Sequence, residues 1–305
     1  MQHTIADGID YFGANGFPVT VRRVATDTLD QPSHPHDLTR VEHSHDFHEL
    51  AIVAEGRAIH SLEGNEFPVS RGDVLLLQGN QRHFYHQREN LKLLNVMYDA
   101  DHLGLPESEL RRIPGYCAVF MLEPVLRRQS KSASQHLHLD QLQLAHVESL
   151  VETMEIECSK QRVGYEVALR AKLLELIVYL SRTYEETDRT ESHALLRMGT
   201  VIGALEQDFS REWKIDELAK IAHMSRSNLM RIFRKATGQT PIEYLQHLRV
   251  QKSMELLRNT ELSVTEVAMQ IGFNDSNYFT RCFRKISDQT PRQYRNKGQL
   301  PISQP

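Results

Sequence analysis

The feature that most narrows the fold is a repeat close to the end of the chain. Arg231, Phe233, Arg234, Lys235, Gln239, Thr240, Pro241 and Tyr244 return 50 residues later as Arg281, Phe283, Arg284, Lys285, Gln289, Thr290, Pro291 and Tyr294. Those are eight identities in fourteen positions, a density that chance does not supply. Upstream, Ile215, Leu218 and Ala219 match Val264, Val267 and Ala268 at an offset of 49, so the second copy has one extra residue in its turn. In "SVTEVAMQI", Val264, Val267, Ala268 and Ile271 share a helical face. A turn follows at Gly272–Asp275, and a second helix is predicted from about Asp275 to Ile286. Its inner ladder is Phe279, Cys282, Phe283 and Ile286; Asn277, Thr280, Arg281 and Arg284 fall on the outer face. The first copy has the ladder Leu229, Ile232, Phe233 and Ala236. In both, Thr-Pro closes a turn and opens the next helix, as proline at a first helical position does. An apolar inner face, an Arg-rich outer face and a small residue in the turn are what a helix needs to enter the major groove of DNA. One such helix alone could be a solvated surface helix, but an incidental one would not recur with its Thr-Pro-x-x-Tyr ending.

Between the copies, "IEYLQHLRVQKSMELL" reads as one continuous helix that would hold two recognition helices at a fixed separation. Two such helices on one face suit successive major-groove segments, ~34 Å apart, within a single chain. The double motif, over roughly residues 194–297, resembles the AraC/XylS family of bacterial transcription regulators. The residues that carry the resemblance are Gly272, Phe273, Asp275, Tyr278, Phe279, Arg281, Phe283 and Arg284, then Thr290, Pro291, Tyr294 and Arg295. The first copy departs from the pattern with His223 in the turn where Gly is frequent. By position, the resemblance implies that Ser227, Met230 and Arg231 read bases in the first copy and Ser276, Asn277 and Arg281 in the second. Arg can pair bidentately with guanine and Asn with adenine, whereas Met230 could only meet a thymine methyl or pack on sugar. Arg234, Lys235, Arg284 and Lys285 are better placed for phosphates. Arg249, in the linking helix, is expected to be an internal anchor. The family also implies RNA polymerase as a partner and an N-terminal sensor. "VEHSHDFHELAIVAEG" with "PGYCAVFMLEP" looks most like the rhamnose-responsive regulators.

Charge divides the chain the same way. From Ala194 onward there are 17 Lys+Arg against 11 Asp+Glu, a net of +6, while the first 193 residues carry 19 against 29, a net of −10. A basic half joined to an acidic half suits a phosphate-contacting domain fused to something else. That acidic half also holds 14 of the 16 histidines. Residues 17–98 read as short strands, "FPVTVRRVAT", "HELAIVAEG", "RAIHSLEG", "NEFPVSRGDVLLLQ" and "LKLLNVMYD", with turn signals at 55–57, 63–66 and 79–81. Many short strands at this spacing predict an antiparallel barrel or sandwich. On a strand, odd positions share a face, so His43, His45 and Glu49 would point inward together, and His83 opens a later strand. Three imidazoles and a carboxylate match a divalent transition-metal site. Together with Gly56, this spacing resembles the first motif of the cupin fold, and Gly72 and His83 match the second. Asp37, Gln78, Asn80 and Gln87 depart from the cupin pattern. Three readings stay open: a metal held by His43, His45, Glu49 and His83, a metal-free pocket for a small polar effector lined by those residues and Tyr85, or a purely structural barrel. His48 is out of phase and expected in solvent; Phe47 is expected to pack.

From about Leu137 the pattern turns helical. Leu144, Val147, Val151, Met154 and Cys158 form a short heptad-like seam, able to pack on the barrel or on another chain. With the apolar helix "YEVALRAKLLELIVYLSRTY" it would make a dimerisation hairpin. "SRTYEETDRTES" is polar, which places a linker at 181–193. The expectation is therefore an α+β protein in two domains. Residues 1–180 form a cupin-like barrel followed by helices, and 194–297 an all-α domain with two helix-turn-helix motifs joined by a helix; 298–305 is a tail. Cys117, Cys158 and Cys282 are too scattered for a disulfide framework or zinc site. No apolar run spans a bilayer, and the N-terminus "MQHTIADGIDYFG" has no export signature, so a cytoplasmic location is expected. The function expected is sequence-specific DNA-binding regulation, acting as an activator, without required cofactor and without catalysis. The effector is a small polar molecule, with sugars the leading class, and the assembly a homodimer. Two alternatives are a metal-dependent cupin oxygenase or isomerase fused to a DNA-binding domain, and a DNA-packaging protein without sequence preference.

Overall fold

The computed structural model describes residues 4–13, 16–25, 42–129, 136–186 and 190–298. Asp37, most of the tail and residues 187–189 of the expected linker lie outside them. The chain divides into two compact units, Met1–Gly199 and Thr200–Pro305.

The first unit is built on one eight-stranded sheet. Its strands are β1 (Thr4–Ala6), β2 (Val19–Ala25), β3 (His43–His45), β4 (His48–Leu62), β5 (Asn65–Ser70), β6 (Asp73–Leu77), β7 (His83–Tyr98) and β8 (Leu137–His138). Their order is β1-β3-β7-β4-β6-β8, with β2 on β7 and β5 on β4. Among the described residues the ladder has no pair that joins β8 back to β1. Two long strands carry the architecture. The N-terminal half of β4 pairs with β6 and the C-terminal half of β7; its C-terminal half pairs with β5 and the N-terminal half of β7. The register slips between Val53 and Glu55, Glu55 and Arg57, and Arg57 and Ile59. Residues 55–57, read from sequence as a turn between two strands, are thus a bulged bend within one strand. Gly56 makes the bend possible: its φ is +75°, and a Cβ there would sit 2.2 Å from the Asn90 carbonyl oxygen. Conversely, "NEFPVSRGDVLLLQ" is two strands rather than one, and β7 begins eight residues before the stretch "LKLLNVMYD". The interior between the sheet halves buries Val24, Ala51, Val53, Leu62, Phe67, Leu75, Leu77, Tyr85 and Leu93.

Helix α1 (Gly8–Phe12) follows β1. After β7, and before β8, come α2 (Ala100–Leu103), α3 (Glu107–Leu110), α4 (Pro114–Tyr116), a π-helical segment (Cys117–Leu122) and α5 (Glu123–Gln129). Two long helices follow, α6 (Gln141–Lys160) and α7 (Tyr165–Glu185). Asp140 caps α6 in a reciprocal box with Gln143. Leu144, Val147, Val151 and Met154 are buried, α6 packs on β2, and Arg23 pairs with Glu155 across them at 2.8 Å. The heptad-like seam is therefore covered within its own chain, where α6 packs on both β2 and α7. Helix α8 (Thr190–Gln207) begins five residues after α7 ends, so the expected linker at 181–193 is largely helix on both sides of 187–189.

The second unit continues with α9 (Ile215–Ile221), α10 (Arg226–Thr237), α11 (Pro241–Asn259), α12 (Val264–Gln270), α13 (Ser276–Ser287) and α14 (Pro291–Gly298). Val250, Leu257, Val267, Ala268, Ile271, Phe273, Phe279 and Phe283 form the core of its second half. Phe279 and Phe283 are fully buried, each adding on the order of 1.5–3 kcal/mol. Ser263 with Glu266 caps α12, and Thr240 with Glu243 caps α11 behind Pro241.

Candidate functional site

Two sites have chemistry: a pair of exposed helix faces in the second unit and a histidine-rich interior in the first. The helix faces are built alike. Helices α10 and α13 are each 12 residues long, and their inner faces bury Leu229, Phe233 and Ala236 or Phe279 and Phe283. Phe233 meets Tyr244 edge-on at 5.8 Å; Phe283 meets Tyr294 edge-on at 5.6 Å. The incoming turns match as well. Met224 N–H donates to the Ala219 carbonyl and Phe273 N–H to the Ala268 carbonyl, each at 2.9 Å. The extra residue of the second copy is Asn274, so the N-cap is Ser225 in one copy and Asp275 in the other. With the inner face fixed, the outer one is fixed too. Ser227, Arg231, Asn277 and Arg281 are exposed, and Met230 and Ser276 are partly so. Arg234, Lys235, Arg284 and Lys285 are exposed one turn further along.

The two arginines expected to read bases have different local contacts. Arg231 donates to Asn228 Oδ1 at 2.8 Å, while the Arg281 guanidinium lies 5.8 Å from the Tyr278 ring centre. Tyr278 also accepts a hydrogen bond from Gln246 Nε2 at 2.6 Å, which ties α13 to α11. A cleft of about 410 Å³ opens there, lined by Trp213, Gln246, Arg249, Phe273, Tyr278 and Arg281. Arg249 donates to the carbonyls of Phe209 and Arg211, each at 2.7 Å, so it anchors the domain from within, as expected. Arg295, on α14, holds the Leu257 and Leu262 carbonyls in the same manner.

In the first unit, β3, β4 and β7 bring His45, Glu49 and His83 together, with ligand atoms all within 4.8 Å of one another. His43 is not in that set, although it is paired in register with His83 and its ring lies 4.4 Å from the His83 ring. His45 Nδ1 is 2.7 Å from the Phe47 carbonyl oxygen and Nε2 is 3.2 Å from Glu49 Oε2. Tyr85 is buried beside them, and its hydroxyl has no hydrogen-bond partner among the described residues. Phe47 packs against Tyr11 and Phe12. His48, expected in solvent, is half-buried and stacks on Tyr98 at 5.3 Å; burial lowers its pKa.

Three further residues of this interior carry no sequence signal. His60 is fully buried, stacks on Tyr85 at 4.4 Å, and has no hydrogen-bond partner on either ring nitrogen among the described residues. Burial, reinforced by Arg127, His136 and His43, holds it neutral, well below the usual histidine pKa. His83 is held neutral by burial and by the neighbouring His43, His45 and His60. Glu123 and Arg127 form a buried pair on α5, 3.4 Å apart, and Arg127 lies over the Phe67 ring. Burial pushes the Glu123 pKa up, and Arg127 only partly offsets it. The interior thus offers imidazole, phenol, carboxyl and guanidinium groups in an otherwise apolar shell.

The chain matches two family models: a helix-turn-helix domain over residues 218–297 and an AraC-like ligand binding domain over residues 32–177. The HTH-type transcriptional activator RhaS of Klebsiella pneumoniae is 31% identical over 292 residues, 96% of this chain and 97% of that protein. The HTH-type transcriptional activator RhaR of Mannheimia succiniciproducens is 29% identical over 287 residues, 94% of this chain and 95% of that protein. Among solved structures, the DNA-binding domain of the global transcriptional factor AdpA, in complex with a target DNA, is 30% identical. It covers 33% of this chain and 91% of that one, with a TM-score of 0.32.

Proposed function

The chain belongs to the AraC/XylS family of DNA-binding transcription regulators, and from that premise we propose that it is an activator switched by a small polar effector, a sugar first among the candidates, held inside the N-terminal sheet. The observation that carries this reading is the pair of congruent helices α10 and α13, each with an exposed Arg at the same place, Arg231 and Arg281. In this reading Arg231 and Arg281 pair with guanines, Asn277 with adenine, and Met230 with a thymine methyl or sugar. Ser227 and Ser276 complete the base-reading set, and Arg234, Lys235, Arg284 and Lys285 hold phosphates.

The effector reading is supported by the unpaired polar atoms of His60, His83 and Tyr85. A neutral imidazole offers one donor and one acceptor, and a phenol offers both. Such a set suits a neutral, hydroxyl-rich molecule better than an ion. His43, His45 and Glu49 extend the same surface. The effector acts by population shift, favouring one arrangement of the dimer or the DNA-binding unit over another. The names of the two full-length relatives support activation. Activation implies RNA polymerase as a partner, a cytoplasmic location and an interior that senses rather than catalyses. The α6–α7 hairpin, with Leu142, Val163 and Val167 exposed, is our candidate for the homodimer contact.

The test is a titration of labelled upstream DNA with the full chain, alone and with a panel of sugars, alongside transcription in vitro. A protected site spanning two successive major grooves and a several-fold change in affinity or transcript with one sugar class are expected. Identical affinity and transcript across the panel removes the effector reading. Loss of any defined footprint removes the sequence-specific reading.

A further inference from the structure

Taking Arg281 as the base reader proposed above, we infer that Tyr278 is its positioning residue: fastened to the linking helix α11 by Gln246, Tyr278 aims the Arg281 guanidinium at its base. Asn228 and Tyr278 hold the same place in the two copies, three residues before Arg231 and Arg281. Residues three apart on a helix are neighbours on one face, so this place is well suited to steer each arginine. The copies differ here, and the two side chains steer by different chemistry.

In α10 the steering is local. Asn228 Oδ1 accepts from an Arg231 terminal nitrogen at 2.8 Å, and both residues belong to the same helix. In α13 it reaches outside the helix. The Arg281 guanidinium carbon lies 5.8 Å from the Tyr278 ring centre, within range of a cation–π contact. Tyr278 meets Phe273 edge-on at 5.8 Å, and the Arg249 guanidinium carbon lies 5.6 Å from the Phe273 ring centre. Arg249 is itself held by the carbonyls of Phe209 and Arg211. A column of cation, ring, ring and cation thus runs from a fixed arginine on α11 to the reading arginine on α13. Gln246, three residues before Arg249 on α11, secures the column by donating to the Tyr278 hydroxyl at 2.6 Å. Tyr278 is 41% exposed, so burial alone does not fix its ring; Phe273 and Gln246 do. A long arginine side chain loses rotamer freedom when it docks, and one already held in place loses less. Holding it by a ring face also spares its hydrogen-bonding edge. Among the described residues no acceptor takes a hydrogen from Arg281, whereas Arg231 spends one donor on Asn228. The second arginine is therefore aimed from the helix that joins the two copies, the first only from its own helix.

The experiment selects binding sites for the full chain from random-sequence duplexes. Affinity is then measured for the selected site, for each of its single-base-pair substitutions and for random DNA. R281A identifies the base pair that Arg281 reads, and R231A the base pair of Arg231. Q246L and Y278F should each lower discrimination at the Arg281 base pair by about 2–5-fold, and Y278A by roughly tenfold, since it removes the ring as well as the hydrogen bond. The Q246L/Y278F double variant should lose no more than either single one, because both remove the same bond. N228A should act at the Arg231 base pair alone. Q246L and Y278F should leave affinity for random DNA, discrimination at the Arg231 base pair and the urea unfolding midpoint unchanged, all of which a general loss of structure would move. If R281A weakens selected and random DNA alike, the base-reading assignment falls and the positioning role with it. If R281A is specific but Q246L, Y278F and Y278A leave its base pair fully discriminated, the positioning role alone is overturned. Equal losses at both arginines' base pairs in Q246L or Y278F overturn it as well.

Discussion

The two helix-turn-helix copies solve one problem with opposite choices. Each needs two residues in the left-handed backbone region, one in the turn before the recognition helix and one just after it. The first copy uses His223 (φ +49°) before and Gly238 (φ +75°) after; the second uses Gly272 (φ +90°) before and Asp288 (φ +57°) after. Each copy thus spends its glycine at the end where the other carries a side chain. The reason is local crowding. A Cβ at Gly272 would stand 2.2 Å from the Ser210 carbonyl oxygen, whereas one at Gly238 would meet nothing within 4 Å. Glycine is obligatory at one of these positions and a convenience at the other. Shared sequence pattern therefore does not mean shared constraint.

The largest test of this asymmetry is Gly272→Ala against His223→Ala. The first should destabilise the second unit by about 3 kcal/mol or more, through a backbone clash added to an unfavourable φ; the second should cost ~1 kcal/mol or less. Urea unfolding reads both, and equal losses would break the comparison. Next in size, Arg231→Ala and Arg281→Ala should each cost ~1–3 kcal/mol of site-specific binding and relax preference at one base pair. The two affected base pairs should lie about one DNA turn apart, read by binding to single-substitution operators. Equal weakening on random DNA would make both arginines phosphate contacts. The smallest effects should be gains. Replacing the strained His223 by Gly should stabilise by roughly 0.5–1 kcal/mol, and Asp288→Gly by less, since Asp tolerates the left-handed region better.

What could be read from sequence follows from how local each signal is. The recognition helices were legible to within a residue, because spacing of 3 and 4 and a second copy report on the same few turns: α13 spans Ser276–Ser287 against an expected 275–286. The interior of the sheet was only half legible. His45, Glu49 and His83 followed from the cupin-like spacing; alternation along one strand does not carry from His45 to Glu49, because β3 ends at His45 and β4 begins at His48. His60 did not, because the route from Glu49 to His60 crosses three register shifts, and each one resets which face a position occupies. Reading 55–57 as a turn hid the same fact. Arg127 and Glu123 were invisible for a different reason: an i, i+4 charge pair normally marks a wet helix face, and only tertiary packing shows that this one is dry. His43 fell on the correct face but outside the cluster, a distinction that strand parity cannot make.

The joining of two unlike reading helices by α11, with Gln246 clasping Tyr278, has one more consequence. A protein that carries one reading helix per subunit presents the same surface twice, related by a two-fold axis, and lies on DNA without a front or a back. A single chain with two different heads has a leading and a trailing end. Its site need not be palindromic, and a bound chain points one way along the duplex. Inverting that site would leave every base-pair contact available while reversing the direction in which the bound chain points.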